Sequence, residues 1–285
     1  METSLKDKIL FYIERLPALS PTISKIIELT QNSNTSASDL LKVIKLDPVL
    51  TAKILRLINS AYFGMPESVT SINTAIVLLG FNTIKNLALS TEVLSSFNPG
   101  KGVEFNVEKF WLHSLAAAVT CKTLALHILH DHKVQEEYFI SGLIHDIGKI
   151  FLIKFFPSQF FSINFEKMGI GEFLKKEKEL FSIDHAEAGG LIVEKWKLSR
   201  EMISSVKNHH TMPENAGKRA MRSIVYFSNI YCKSIGFDDM IGAITSNDLT
   251  SDTWKSVGLT EKEGESVFSE LPAKIEESKI FLKIK

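Results

Sequence analysis

Apolar residues recur along this chain with the three-to-four spacing of amphipathic helices, and no stretch alternates convincingly in the two-residue manner of strands. From Leu40 the apolar positions fall at Leu40, Leu41, Val43 and Ile44, which predicts a helix capped by Ser38. Asp47–Pro48 reads as an N-cap followed by proline at the first helical position, opening a helix that buries Leu50, Ile54, Leu57 and Ile58 until Gly64 and Pro66 bar it. Ser71 starts a short helix ending at Gly80, and Asn82 starts another that runs to about Ser96. A long helix capped by Asn106 extends to Leu129, and its middle, Leu112 to Leu126, is apolar on nearly every face, as expected of a helix through the core. A further helix spans Tyr138 to Ile153 and is stopped by Phe155-Phe-Pro157. Others are expected over His185–Trp196, Leu198–His210 and Arg219–Ile235, and one begins at Pro272. The class is all-α.

Asn98-Pro-Gly-Lys-Gly102 is the clearest breaker cluster and divides an N-terminal helical lobe, residues 1–98, from a second lobe, residues 103–235. The tail, residues 236–285, is more polar and carries a capping box at Thr260 and Glu263. Lys175 to Lys178 and the neighbouring glutamates read as a solvated helix face.

Composition narrows the function. The chain has 285 residues, 45% of them hydrophobic, and 33 basic against 33 acidic side chains. That balance argues against nucleic-acid binding by phosphate neutralisation, and against reading the short N-terminal helices as a DNA-binding helix-turn-helix. No uninterrupted apolar run reaches the ~20 residues of a membrane span, and no secretory pattern opens the chain, so no membrane association is expected. Cys121 and Cys232, both in apolar surroundings, read as reduced packing residues of a cytoplasmic protein.

The chemistry concentrates in His145 and Asp146, an imidazole and a carboxylate inside an apolar helix. Buried groups of this kind need partners, and a divalent ion satisfies both. His113, His185, His209 and His210 lie on or beside other helices, and one ligand from each of several helices is how bundles build metal sites. The alternative is that each ring is a core histidine held by a carbonyl or by Asp146. The donors suit iron, manganese, nickel or zinc. Lys149, one turn after His145, either neutralises a bound phosphate or pairs with a carboxylate. His127, His130 and His132 mark a solvated helix end.

These residues resemble the pattern of the HD superfamily of metal-dependent phosphohydrolases: His113, His145–Asp146, Lys149, His185 in His185-Ala-Glu-Ala-Gly189, and Asn208-His-His210. Upstream, Leu16-Pro-Ala-Leu19, Asp47–Pro48, Leu55-Arg-Leu-Ile-Asn-Ser-Ala-Tyr-Phe63 and Ala75-Ile-Val-Leu-Leu-Gly80 are similar to the HDOD domain, a relative usually described as non-catalytic. The likeness covers about Arg15 to Cys232. It implies a two-lobed helical domain with an HD-like bundle, metal ligands at His113, His145, Asp146, His185, His209, His210 and Asn229, and a role in bacterial signal transduction with a signalling or regulatory protein partner.

The departures from the pattern matter as much. Asn229 stands where the superfamily closes its ligand set with an aspartate. Lys109 occupies the place of a glutamate that holds a third metal in the cyclic-di-GMP phosphodiesterases. Their glycine-tyrosine-proline signature is absent from Thr211-Met-Pro-Glu-Asn-Ala-Gly217. The resemblance therefore implies a non-catalytic module with a vestigial ion site. The alternative is a metal-dependent phosphohydrolase acting on a nucleotide or phosphate ester, with Asp146 and Lys149 in the catalytic roles.

Overall fold

A computed structural model describes residues 4–16, 19–31, 35–96, 105–130, 134–165, 168–213, 220–243 and 248–284. The N-terminal helices are α1 (Leu5–Arg15), α2 (Pro21–Gln31), α3 (Ala37–Lys45), α4 (Pro48–Ile58) and α5 (Ile72–Ser96). There follow α6 (Val107–Leu129), α7 (Gln135–Ile144), α8 (Ile147–Phe155), α9 (Pro157–Phe160), α10 (Ile170–Phe181), α11 (His185–Lys195), α12 (Arg200–Lys207) and α13 (Met221–Ser234). The tail forms α14 (Ser251–Ser256), α15 (Glu261–Val267), α16 (Leu271–Ser278) and a closing 3-10 turn, Lys279–Ile284. Among the described residues there is no strand; an isolated bridge joins Gly169 to Ala243.

Most helix signals correspond to real ends. Asp47 caps α4 through Leu50 N–H with Pro48 in the first turn, Asn106 caps α6, and Thr260 and Glu263 form the expected capping box. The cap of α3 is Ser36 rather than Ser38, because Asp39 completes a capping box with Ser36 alone. At Gly80 the backbone leaves the helical region (φ 82°, ψ 165°), so α5 is two helices joined at the glycine, as the sequence suggests. The breaker cluster at 98–102 lies outside the described residues, as does His132.

The helices that carry the histidines are arranged around α6, which is buried along most of its length and packs against α7, α13 and α16. Gly142 lets α7 approach closely: a Cβ there would lie 2.7 Å from the Ala118 Cα of α6. Helix α1 packs on α10 and α11, with Tyr12 in ring contact with Phe155 and Phe156.

By length and composition alone α5 and α6 could each cross a membrane, although no uninterrupted apolar run does so. Half of the apolar window of α5 and 61% of that of α6 are buried within the fold, so both serve as core helices. The continuous helix expected from Tyr138 to Ile153 is instead two, broken at His145–Asp146.

Candidate metal centre

The break makes the centre possible. In one continuous helix adjacent side chains diverge by ~100°, but Asp146 has left helical geometry (φ −98°, ψ 13°). It turns its carboxylate toward the same hollow as the His145 ring, with Oδ2 3.3 Å from His145 Nε2. Gly148 sets the depth of the hollow. A Cβ at Gly148 would collide with the backbone carbonyl of His185, so only glycine lets the start of α8 meet the start of α11.

Four rings are oriented from behind. His113 Nδ1–H donates to Phe237 C=O (2.8 Å), His145 Nδ1–H to Gly142 C=O (2.7 Å) and His209 Nδ1–H to Val206 C=O (2.7 Å). His185 Nδ1–H donates to the Glu177 carboxylate at 2.6 Å. A carbonyl only accepts, so in a neutral ring the proton sits on Nδ1 and the Nε2 lone pair faces inward. Rings so anchored are ready-made metal ligands.

The inward atoms form two groups sharing Asp146. On the Oδ2 side are His145 Nε2 (3.3 Å) and His113 Nε2 (3.7 Å), and the Asn229 amide oxygen lies 3.1 Å from His113 Nε2. On the Oδ1 side are His209 Nε2 (3.1 Å) and His185 Nε2 (3.4 Å), with His210 Nε2 2.9 Å from that of His185. In each group, His113–His145–Asp146 and Asp146–His185–His209–His210, the donor atoms lie within 4.8 Å of one another. Lone pairs brought this close repel unless a proton or a cation lies between them. The residues therefore fit a divalent ion, with imidazole and carboxylate donors of the type transition metals take.

Burial and charge set the resting protonation. Burial holds His113 neutral, pushing it down to about 3, and pushes His209 down to about 4 against the pull of Asp146. His210 is likewise driven well below the ordinary imidazole range by burial and by the neighbouring rings. His185 goes the other way. Burial opposes its charge, but Glu177 and Asp146 outweigh that and raise it to about 9. The imidazolium then supplies the proton between His185 and His210 in the ion-free protein.

Asp146 is desolvated, yet Lys149 and His145 hold its carboxyl well below the usual carboxylate range. The Lys149 ammonium lies 2.8 Å from Asp146 Oδ2 and 2.8 Å from Asp239 Oδ2, fully buried. Of the two roles read for Lys149, carboxylate pairing is the one the geometry displays.

The residues read as candidate site residues thus meet: His113, His145, Asp146, Lys149, His185, His209, His210 and Asn229 are gathered in one hollow. All are buried except His210, which is partly exposed. His127 and His130 remain apart at the end of α6, with His130 as a left-handed C-cap. Lys109 lies outside, its Nζ 3.2 Å from Met240 Sδ.

Sequence reasoning missed Glu177 and Asp239. Glu177 sits in the stretch read as a solvated face but is wholly buried. Its spacing from Phe173 and Phe181, four residues each way, was the available signal that it shares their inward face. Asp239 lies in a polar turn that offers no such sign.

Residues 16–212 match the family model described as the HDOD domain. Over 235 residues the chain is 24% identical to an uncharacterized protein of Treponema pallidum (strain Nichols), a match covering 80% of this chain and 44% of the relative. The chain therefore spans less than half the length of that curated relative. Among solved structures it is similar to an HDOD domain protein of unknown function from Geobacter sulfurreducens (TM-score 0.78, 22% identity, 99% of this chain and 97% of that one). It also resembles a protein named for signal transduction from Marinobacter aquaeolei VT8 (TM-score 0.74, 20% identity, 100% and 62%). A third neighbour, from Shewanella amazonensis SB2B, bears a metal-dependent phosphohydrolase name (TM-score 0.67, 18% identity, 96% and 97%). At these identities the likeness is one of fold.

Proposed function

The chain belongs to the HDOD domain family, and from that premise we propose that it is a regulatory module of signal transduction in which a divalent ion, when bound, is sensory or structural rather than catalytic. The observation that carries this reading is the state of the acids. Asn229, an amide that can neither accept a proton at neutral pH nor offset a dication, stands where a closing carboxylate belongs. The one remaining acid among the inward donors, Asp146, is already engaged by the Lys149 ammonium. Among the described residues no free carboxylate is left there to act as a general base. The donors are also sealed from solvent apart from His210, which leaves a phosphate ester little access.

Output then passes through the helical surface to a signalling or regulatory protein. The Marinobacter neighbour's name is consistent with such a role. Two free, buried cysteines suit a cytoplasmic setting.

A second reading, a metal-dependent phosphohydrolase of nucleotides or phosphate esters, draws on the complete set of histidines. His113, His145, Asp146, His185, His209 and His210 would hold the metal. When bound it would supply Lewis acidity toward a phosphoryl oxygen and an acidified water.

Metal analysis followed by assay against phosphate esters and cyclic dinucleotides separates the two. The regulatory reading expects bound metal below full occupancy and no hydrolysis above that of the ion in buffer. Turnover that disappears in Asp146→Ala overturns it.

A further inference from the structure

The centre carries a cation of its own. Lys149 and Asp239 form a fully buried pair beside the imidazoles, and Asp239 belongs to the strap 237–242 that follows α13. The strap is tied to the centre at two points: Phe237 C=O accepts from His113 Nδ1–H, and Asp239 accepts from Lys149. Its far side is fixed to Lys233, whose ammonium reaches Asp239 Oδ1 (2.6 Å), Ile241 C=O (2.7 Å) and Gly242 C=O (3.2 Å), with Asp238 at 3.4 Å. Ile241 N–H donates to Asp239 Oδ1 (3.2 Å), and Ala243 N–H to Met168 C=O (2.8 Å). At its apex Met240 is 54% exposed and adopts a left-handed backbone (φ 66°) that non-glycine residues rarely take.

We propose that Lys149 is a resident cation which a divalent ion displaces from Asp146 onto Asp239, so that occupancy of the centre is transmitted to the surface strap 237–242. Asp146 Oδ2 faces Lys149, His145 and His113 together, so an ion drawn to those imidazoles competes with the ammonium for the same oxygen. A dication and an ammonium sharing one carboxylate oxygen in a buried site repel strongly. Lys149 has a second carboxylate at the same 2.8 Å distance, so it withdraws without losing its counter-charge. Asp239 then answers to Lys149 more fully and to Lys233 less, and Lys233 is the group that pins the strap backbone. The charged groups around the Lys149–Asp239 pair are Asp146 and Lys233 in direct contact, Asp238 behind Lys233, and the His185 imidazolium across Asp146.

This inference deepens the regulatory reading by naming what the ion would move. The test is hydrogen–deuterium exchange of the EDTA-treated full chain, with and without saturating Mn2+, and Mn2+ titration of the wild type and Lys149→Met. The strap amides are expected to change exchange rate on Mn2+ binding while those of α3 and α4 do not. Removing the competing ammonium is expected to tighten Mn2+ binding about tenfold. Strap exchange indifferent to saturating Mn2+ overturns the proposal, and that readout needs no variant. Affinity unchanged or weakened in a folded Lys149→Met, or no Mn2+ bound by the wild type, overturns it as well. Phosphoester turnover would defeat the regulatory reading while leaving the strap coupling standing, so the two failures are distinguishable.

Discussion

At the scale of single residues the centre is an arrangement of protons. The His113, His145 and His209 rings spend Nδ1–H on backbone carbonyls and aim Nε2 inward. Asn229 offers only a neutral amide oxygen beside His113, so on the proposed reading Asn229→Asp is expected to raise Mn2+ affinity about tenfold or more by titration calorimetry. Unchanged affinity would place Asn229 outside the ligand set. The titration of the rings also predicts a pH profile for the ion-free protein. His113 and His209 fall from 6.5 to about 3 and about 4 on folding, so the stability they carry is whole above pH 6.5 and is lost as pH drops through those values. His185 rises from 6.5 to about 9, so its contribution is full below pH 6.5 and is lost as pH climbs through 9. Urea unfolding in EDTA should therefore show a stability maximum near neutrality, and Glu177→Gln should flatten the alkaline decline. A decline of equal depth in Glu177→Gln contradicts the assignment.

At the scale of elements the decisive feature is the break between α7 and α8. Gly148→Ala drives a methyl into the His185 carbonyl and is expected to cost several kcal/mol and to scatter the ligands, measurable as loss of both thermal stability and ion binding. Gly142→Ala, which meets α6 backbone, should destabilise comparably. The helices themselves were legible in the sequence because caps and apolar periodicity are local: Asp47–Pro48, Asn106 and Thr260–Glu263 each declare an end. The break at 145–146 was not legible. Apolar residues run through it on both sides, and the close approach of α8 to α11 that accompanies it at Gly148 is a long-range contact. The histidines could be gathered from the sequence because imidazoles among apolar residues stand out. Asp239 could not, since its burial depends on Lys149, 90 residues away along the chain.

At the scale of the whole molecule the tail closes the structure. Trp254 and Phe268 pack on Phe227 and Tyr231 of α13, with ring centroids 4.8 and 4.5 Å apart for the Trp254–Phe227 and Phe268–Tyr231 pairs. Phe281 sits between Tyr62, which follows α4, and Phe139 of α7, at 5.6 and 5.3 Å. The tail thus packs on α13, on α7 and on the segment after α4, and truncation after Ala243, which spares the strap, is expected to expose Phe227, Tyr231, Tyr62 and Phe139, lower the thermal midpoint and raise binding of a hydrophobic dye. An unchanged midpoint would show that the tail is an ornament. The distant imidazoles that meet around Asp146 are expected to hold an ion, and metal analysis of the wild type and Asp146→Ala, loaded with Mn2+ and desalted side by side, tests this most directly. Mn2+ retained by the wild type and lost from a folded Asp146→Ala is the predicted result; equal metal content in the two, or none in either, contradicts it.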